Sequence, residues 1–249
     1  YVREHPDEFL QPSGFVYHET RTGSTLVANM LGHVPTNLVL SENSISEDPA
    51  RRCGSCTEEQ RIRLLRDILP LLGTTTAGHT HAFFKFQDST TLDLMTKAFP
   101  DVSWVYLFRD PVEVMVSNLK GAYGKRNRFY EADFDYEAAD NSTGGARDEP
   151  ASSPSQKTAK PMLSPCLMAS SIRMKGMAKE AICATRLKTL CQAAIAGLES
   201  QAEKGGKGRG AVVEYTNLPE AVTEFIYPDL FGMGPELLKE HLPYLSEAA

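Results

Sequence analysis

One stretch near the amino terminus, Phe15 to Leu31, constrains the fold more than any other part of the chain. It reads FVYHETRTGSTLVANML, in which an apolar run leads into a small polar turn and then into apolar residues at helical spacing. The apolar run suits a buried strand, and Gly23 allows the backbone to turn tightly before the helix. The stretch therefore predicts a strand, a hydroxyl-rich turn and the start of a helix, in that order.

The polar turn, Arg21-Thr22-Gly23-Ser24-Thr25, has the residue types of an anion-binding loop. Unpaired backbone N–H groups and the positive end of the helix dipole favour phosphate or sulfate esters at such a turn. Arg21 adds a guanidinium, and the two hydroxyl residues add donors. The turn is not a Walker A loop, because a second glycine followed by Lys is missing. On this stretch alone, an anion site and an ordinary N-capped helix both remain open.

The composition is that of a globular protein with one domain. The chain has 249 residues, of which 41% are hydrophobic and 23% are charged, and this length can bury one sizeable core. A net charge of −6 argues against a general nucleic-acid binder, so any positive site must be local. No apolar run approaches the roughly 20 residues of a membrane-spanning helix.

Strand-like runs alternate with amphipathic helical segments along the chain. Further strands are predicted at 38–40, 82–86, 102–108 and 211–215, and further helices at 57–73, 90–99, 112–119, 165–200 and 218–230. This alternation predicts right-handed crossovers and a mostly parallel sheet covered on both faces. We therefore expect a P-loop-like, three-layer α/β/α domain over residues 1–249. A flexible surface insertion is expected at about 131–161, where apolar periodicity is absent.

The five cysteines have no regular spacing. Cys53 and Cys56 form a lone CxxC, and no second CxxC or HxxxH pair supplies the other two ligands of a zinc site. We expect no metal. An exposed loop and a local disulfide both remain open for this pair.

A second basic residue at a strand end makes the anion interpretation more specific. The strand predicted at 102–108 runs directly into Arg109-Asp110-Pro111, and Ser117 follows within the next helix. In an open parallel sheet, ligands bind at the carboxyl ends of the strands. Arg109 and the turn at Arg21 would then make two phosphate sites on one sheet. A ligand with two phosphate groups at a fixed separation needs such an arrangement.

In these motifs the chain resembles the sulfotransferases that use 3'-phosphoadenosine 5'-phosphosulfate (PAPS). The first family motif, a basic residue followed by SGTT or SGST and an apolar helix, matches Arg21 to Leu26. The second, RDPxxxxxS, matches Arg109 to Ser117 with unchanged spacing, and a YEDL-like third motif is weakened to Tyr215-Thr-Asn-Leu218. The resemblance is good over residues 14–119 and loose elsewhere. It is closer to the tyrosylprotein and carbohydrate type than to the cytosolic type.

The resemblance implies which residues bind the sulfuryl donor. The 5'-phosphosulfate end of PAPS would lie on the residues of the first motif: Arg21, Thr22, Gly23, Ser24 and Thr25. The 3'-phosphate would lie on Arg109 and Ser117, and Tyr215 would contact the adenine. The product would be adenosine 3',5'-bisphosphate (PAP).

The resemblance also implies the general base, which must remove a proton from the acceptor hydroxyl during transfer. Cytosolic members use a His two residues beyond a strand-end Lys, but that position is Gln87 here. The tyrosylprotein type uses a Glu downstream of the first motif, and an ungapped reading places it at Glu42. Lys85, at the position of the strand-end Lys, would contact the leaving oxygen.

Other assignments stay open at this point. Asp88, His79 and His81 are alternative bases, although the two histidines precede their strand and are expected at the far end of the sheet. Asp110 is predicted to cap a helix. The basic turn at 121–128 is either a solvated loop or a contact for an anionic acceptor.

The leading hypothesis is a sulfotransferase acting on a hydroxyl- or amine-bearing acceptor. The alternatives are a catalytically degenerate nucleotide-binding module of the same fold and, disfavoured by its missing Walker A Lys, a P-loop kinase. We expect a soluble domain without a membrane segment. Its compartment would be the cytoplasm or, if an anchor precedes Tyr1, the Golgi lumen.

Overall fold

A computed structural model describes residues 2, 4–43, 45–47, 53–123, 178–203 and 209–234. In these residues the strands form one parallel sheet in the order β2-β3-β1-β4-β5. The strands are β1 (Pro12–His18), β2 (Asn37–Ser41), β3 (His81–Phe86), β4 (Ser103–Phe108) and β5 (Gly210–Glu214). The predicted α/β fold with a parallel central sheet is confirmed.

Helices connect the strands and cover the sheet. They are α1 (Ser24–Gly32), α2 (Glu58–Leu72), α3 (Leu92–Ala98), α4 (Pro111–Tyr123), α5 (Lys179–Glu203) and a π-helix (Val222–Leu230). Short 3₁₀ turns lie at Pro6–Glu8, Ser89–Thr91 and Tyr215–Asn217. The carboxyl end of each strand leads into the connection that follows it, so polar residues of several connections gather at one edge.

Alternate side chains of each strand enter two separate cores, because successive side chains in a strand point to opposite faces. One core contains the strand residues Phe15, Tyr17, Phe84, Phe86, Trp104 and Tyr106, packed with α2, α3 and α5. The opposite core contains Val16, Phe83, Val105, Leu107 and Val213, packed with α1 and the π-helix. We call these the α5 face and the α1 face of the sheet.

Two helical segments differ from the sequence prediction. α4 continues to Tyr123, so the first residues of the predicted 121–128 turn are helical. The last helix is a π-helix that contains Pro228, rather than an α-helix interrupted there. A proline ring clashes with the carbonyl four residues earlier in an α-helix, and the wider π turn relieves that clash.

Other local predictions are resolved by specific contacts. Thr57 caps α2 in a reciprocal capping box with Gln60, as the sequence indicates. Cys53 and Cys56 form a disulfide, which decides between the two open readings of this pair. The basic residues at 124–128, the predicted insertion at 131–161 and the first part of the helix predicted at 165–200, up to residue 177, lie outside the described residues.

Candidate functional site

The residues assigned by sequence lie at the carboxyl ends of the parallel strands. Glu42 directly follows β2, Lys85 is the last residue but one of β3, Arg109 follows β4 and Tyr215 follows β5. The turn at Arg21 joins β1 to α1. All five positions therefore share the edge of the sheet at which α/β proteins bind ligands.

The turn between β1 and α1 requires its glycine for two reasons. Gly23 has a φ of 76°, in the left-handed region that favours glycine. A Cβ atom on it would lie 2.8 Å from Leu218 Cδ1 and 3.1 Å from the Tyr215 ring. The segment after β5 thus packs directly on this turn, which brings the first and third sequence motifs together.

The N-terminus of α1 has the features of an anion site. Its N-cap residue is Gly23, which provides no side-chain acceptor for the backbone N–H groups of the first helical turn. Arg21 is exposed beside it, and Ser24 is buried at the first helical position. The Thr22 hydroxyl donates to the Glu19 carbonyl at 2.9 Å and so braces the turn from within. Free N–H groups next to an exposed guanidinium suit a phosphate or sulfate group.

The second predicted phosphate residue, Arg109, is held by two contacts within the chain. Its Nε donates to Glu113 Oε2 at 2.6 Å, and its guanidinium lies 4.3 Å from the centroid of the Tyr215 ring. Ser117 is half-buried further along α4. Asp110 accepts from the backbone N–H groups of Val112 and Glu113, as expected of a helix cap. The second and third motifs therefore meet through the contact of Arg109 with Tyr215.

The strongest charge cluster of the edge joins the predicted base to the predicted lysine. Parallel pairing places Ser41 of β2 opposite Lys85 of β3, and the Glu42 N–H donates to the Lys85 carbonyl at 2.9 Å. Lys85 Nζ lies 2.9 Å from Glu42 Oε1, and His18 Nε2 lies 3.4 Å from the same oxygen. Lys85 and His18 are buried, whereas 44% of the Glu42 side chain is exposed. One carboxylate therefore bridges two buried nitrogen bases and still reaches solvent.

The environment of Glu42 favours its ionised form. The pKa of its carboxyl is lowered to about 2, first by the hydrogen bond from His18 and then by Lys85, against an opposing effect of partial burial. Its backbone is also unusual, with a φ of 50°. Left-handed backbone at a residue other than glycine is strained, and such strain clusters at functional sites.

The side chains of the three alternative bases make hydrogen bonds or ion pairs with other residues. Asp88 is buried, and its Oδ1 caps the following 3₁₀ turn by accepting from Thr90 N at 3.0 Å and Thr90 Oγ1 at 2.6 Å. Its Oδ2 lies 3.4 Å from Arg186. His79 and His81 lie at the amino end of β3, as the sequence predicts, and contact neighbouring threonine hydroxyls.

Sequence reasoning missed two residues of this edge, His18 and Glu19. His18 ends β1, and Glu19 Oε1 accepts from Tyr106 Oη at 3.1 Å and from Cys191 Sγ at 2.9 Å. Burial raises the pKa of the Glu19 carboxyl. The sequence does contain a signal for this pair, because two ionisable residues lie between an apolar strand and an anion-binding turn.

Comparison with solved structures found proteins of similar fold. The structure is similar to sulfotransferase STF9 from Mycobacterium avium, with a TM-score of 0.53, 13% sequence identity, and coverage of 99% of this chain and 71% of that one. The chain shares the α/β fold of that sulfotransferase. At this identity the likeness concerns the fold alone. No protein-family model and no curated protein sequence matches the chain.

Two further solved structures are similar at lower TM-scores. A sulfotransferase from Alicyclobacillus acidocaldarius has a TM-score of 0.49 and 12% identity, with 96% of this chain and 92% of that chain covered. A sugar kinase from Janibacter sp. HTCC2649 has a TM-score of 0.41 and 14% identity, with 90% and 96% covered.

Every helix of the described residues is too short or too polar to cross a membrane. Nor do these residues bring together three or more potential metal ligands.

Proposed function

We propose that this chain is a sulfotransferase that moves a sulfuryl group from PAPS to an acceptor hydroxyl or amine. The observation that carries the proposal is the 2.9 Å contact between Glu42 and Lys85. The resemblance assigns these two residues from different strands, and they meet at the edge that also holds both arginine motifs. The fold shared with the Mycobacterium avium sulfotransferase adds support.

The residues of the edge fit a ligand with phosphate groups at two positions. The uncapped N-terminus of α1 and the exposed Arg21 would hold the 5'-phosphosulfate end. Arg109 would bind the 3'-phosphate together with Ser117, and the face of Tyr215 would contact the adenine. When bound, PAPS would supply the sulfuryl group and a bisphosphate leaving group.

The chain's own residues supply the base and a compensating positive charge. The exposed part of Glu42 would take the proton of an acceptor that reaches the site from solvent. Lys85 supplies a buried positive charge at the same point, where it stabilises negative charge that develops during transfer. Any movement of Lys85 away from Glu42 raises the pKa of the carboxyl and so makes it a stronger base.

Calorimetry with PAP, and separately with ATP and Mg²⁺, tests the ligand class. We expect Mg²⁺-independent binding of PAP that is at least about tenfold weaker in Arg109→Ala, since a charge-assisted contact to phosphate is lost. Arg63→Ala is the matched control, because Arg63 also pairs with a Glu four residues away on a helix surface. A preference for ATP with Mg²⁺ would contradict the proposal and favour a kinase.

Release of PAP from PAPS with water as acceptor tests the role of Glu42. Glu42→Gln keeps the side-chain shape but cannot take a proton, so we expect turnover to fall by about 10²- to 10⁴-fold. Binding of PAP should remain within a few-fold of wild type. Unchanged turnover would remove Glu42 from this role, whereas PAP binding without any turnover by the wild-type chain would identify a degenerate binding module. Glu59→Gln, on the outer face of α2, is the control.

A further inference from the structure

Asn118 joins the two predicted phosphate sites through a side-chain hydrogen bond. Its Nδ2 donates to the Thr20 hydroxyl at 2.7 Å. Thr20 lies in the turn between β1 and α1, immediately before Arg21, whereas Asn118 lies on α4, immediately after Ser117. The contact therefore links the turn assigned to the 5'-phosphosulfate end with the helix assigned to the 3'-phosphate.

The orientation of this amide follows from a second contact. Its Nδ2 also donates to the backbone carbonyl of Val114 at 3.0 Å, one turn earlier in α4. A carbonyl oxygen only accepts hydrogen bonds, so the atom that faces it must be the NH₂ group and not the amide oxygen. The same NH₂ group faces Thr20, whose hydroxyl is then the acceptor. The side chain of Asn118 is thus tied to its own helix and to the turn at the same time.

Stability alone does not account for an asparagine at this position. Only 2% of Asn118 is exposed, and its Oδ1 is buried without a hydrogen-bond partner in the part of the chain that the structure describes. A buried polar atom left unpaired costs free energy, which an apolar side chain of similar size, such as leucine, would avoid. The asparagine is therefore better explained by its contact with the turn than by the packing of α4.

Backbone pairing holds the start of the turn but not the far part of α4. The Glu19 N–H donates to the Leu107 carbonyl of the neighbouring strand β4 at 3.3 Å. Ser117 lies six residues beyond Pro111, where α4 begins, which is roughly 9 Å along the axis of a helix. At that distance from the strand end, the hydrogen bond of Asn118 fixes the helix against the turn.

We infer that Asn118 is a positioning residue that sets the separation of the two phosphate sites and thereby favours ligands with two phosphate groups over ligands with one. This inference rests on the proposed function. When two sites are held at a separation that matches the ligand, binding of the second phosphate is intramolecular, which multiplies the affinity. If α4 moves relative to the turn, each site still binds its own phosphate, but the gain from binding both is reduced.

Substitutions at the two ends of the bond separate this role from a contribution to folding. Thr20→Val removes the acceptor and keeps the side-chain shape, whereas Thr20→Ser keeps the hydroxyl. Asn118→Leu removes the donor, and the double variant Thr20→Val/Asn118→Leu leaves neither partner of this bond unpaired. Asn37→Leu is the matched control. Asn37 is 4% exposed and donates to a helix carbonyl, that of Leu31, but it lies at the amino end of β2.

Calorimetry with PAP, 5'-AMP and 3'-AMP measures the gain from two phosphate groups. In Thr20→Val, Asn118→Leu and the double variant, we expect PAP to bind at least about fivefold more weakly, while each monophosphate binds within about twofold of wild type. The double variant should bind PAP no more weakly than the weaker single variant, because both substitutions act on one bond. Thr20→Ser and Asn37→Leu should bind all three ligands like wild type.

Three results would overturn the inference. Wild-type binding of PAP in the Thr20→Val and Asn118→Leu variants would show that the bond does not set the separation. An equal loss of affinity for all three ligands would show a general effect on the fold of the turn. Weak PAP binding in Thr20→Ser would assign the effect to the methyl group rather than to the hydroxyl.

Failure of the proposed function gives a different result, because the wild-type chain itself would then not bind PAP or would prefer ATP with Mg²⁺. Thr20 is half-buried in a turn, so Thr20→Val and Thr20→Ser test the inference even if Asn118→Leu does not fold.

Discussion

Two carboxyl groups at the same edge of the sheet have opposite environments. Glu42 follows β2 and is flanked by His18 and Lys85, which lower its pKa to about 2. Glu19 follows β1, is 1% exposed, and is contacted by the hydroxyl of Tyr106 and the thiol of Cys191, so burial dominates and raises its pKa. The neighbours of each carboxyl, rather than its place at the edge, decide which form is favoured.

The alternation of side chains along β1 explains this division. His18 and Glu19 are adjacent in sequence and point to opposite faces. His18 turns to the α1 face, where it meets the carboxyl after β2, and Glu19 turns to the α5 face, where burial raises the pKa of the Cys191 thiol to about 11 and keeps it protonated at neutral pH. Pairs of groups with pKa values pushed apart are typical of sites that transfer protons.

The largest expected effect on stability is a loss of folding stability in acid, caused by protonation of Glu42. Its folded-state pKa lies below the ordinary value of 4.5, so the carboxylate stabilises the fold above about pH 5 and loses this effect as pH falls toward 2. The shift corresponds to roughly 3 kcal/mol, which screening of the half-exposed carboxyl reduces to about 1–2 kcal/mol.

Urea unfolding of wild type and Glu42→Gln between pH 7 and about pH 3 measures this effect. We expect the wild type to be more stable by about 1–2 kcal/mol at neutral pH, with the difference closing in acid. Because other carboxyl groups titrate in both chains, only the difference between them is informative. A difference that stays constant with pH would show that the ion pair does not form in solution.

Glu19 should show the opposite dependence with a smaller amplitude. Since its pKa is raised, the folded chain binds this proton more tightly than the unfolded chain. The carboxyl therefore lowers stability increasingly as pH rises above about 4.5, and has no effect where both states are protonated. Its Oε2 is buried without a hydrogen-bond partner in the described residues, which adds to the destabilisation of the ionised form.

Glu19→Gln is expected to stabilise the chain by about 1 kcal/mol at pH 8 and by less near pH 4, measured by the same urea titrations. The amide oxygen can still accept from Tyr106 and Cys191. Tyr106→Phe is the matched comparison, because it removes one donor and should lower stability instead. Loss of stability in Glu19→Gln at alkaline pH would indicate that the carboxylate has a partner in the folded chain.

The sequence predicts most of the fold. Of the two carboxyl groups compared above, it identifies Glu42 but not Glu19. Alternating apolar runs predict the strands within one or two residues, except that β1 starts earlier, at Pro12. Glu42 and Lys85 were assigned separately, and the pairing of Ser41 with Lys85 is what brings them together. His18 and Glu19 were not found, because their roles depend on which face each side chain enters. That direction follows from sheet register and from packing against α5, which lies far along the chain.

The smallest expected effect comes from backbone strain in the two turns. The turn that contains Glu19 and the one at Glu42 each hold a residue other than glycine with positive φ, Arg21 at 66° and Glu42 at 50°. Arg21 is exposed, so Arg21→Gly relieves strain without removing a buried contact, and we expect a gain of about 0.5 kcal/mol by thermal or urea unfolding. Glu42→Gly relieves similar strain but leaves the buried Lys85 without its carboxylate, so stability should fall.

Since Arg21 is proposed to hold the 5'-phosphosulfate end, Arg21→Gly should also bind PAPS several-fold more weakly by calorimetry. Weaker binding together with a more stable chain would mark the strain at Arg21 as functional, whereas a loss of stability would mean that the guanidinium supports the fold.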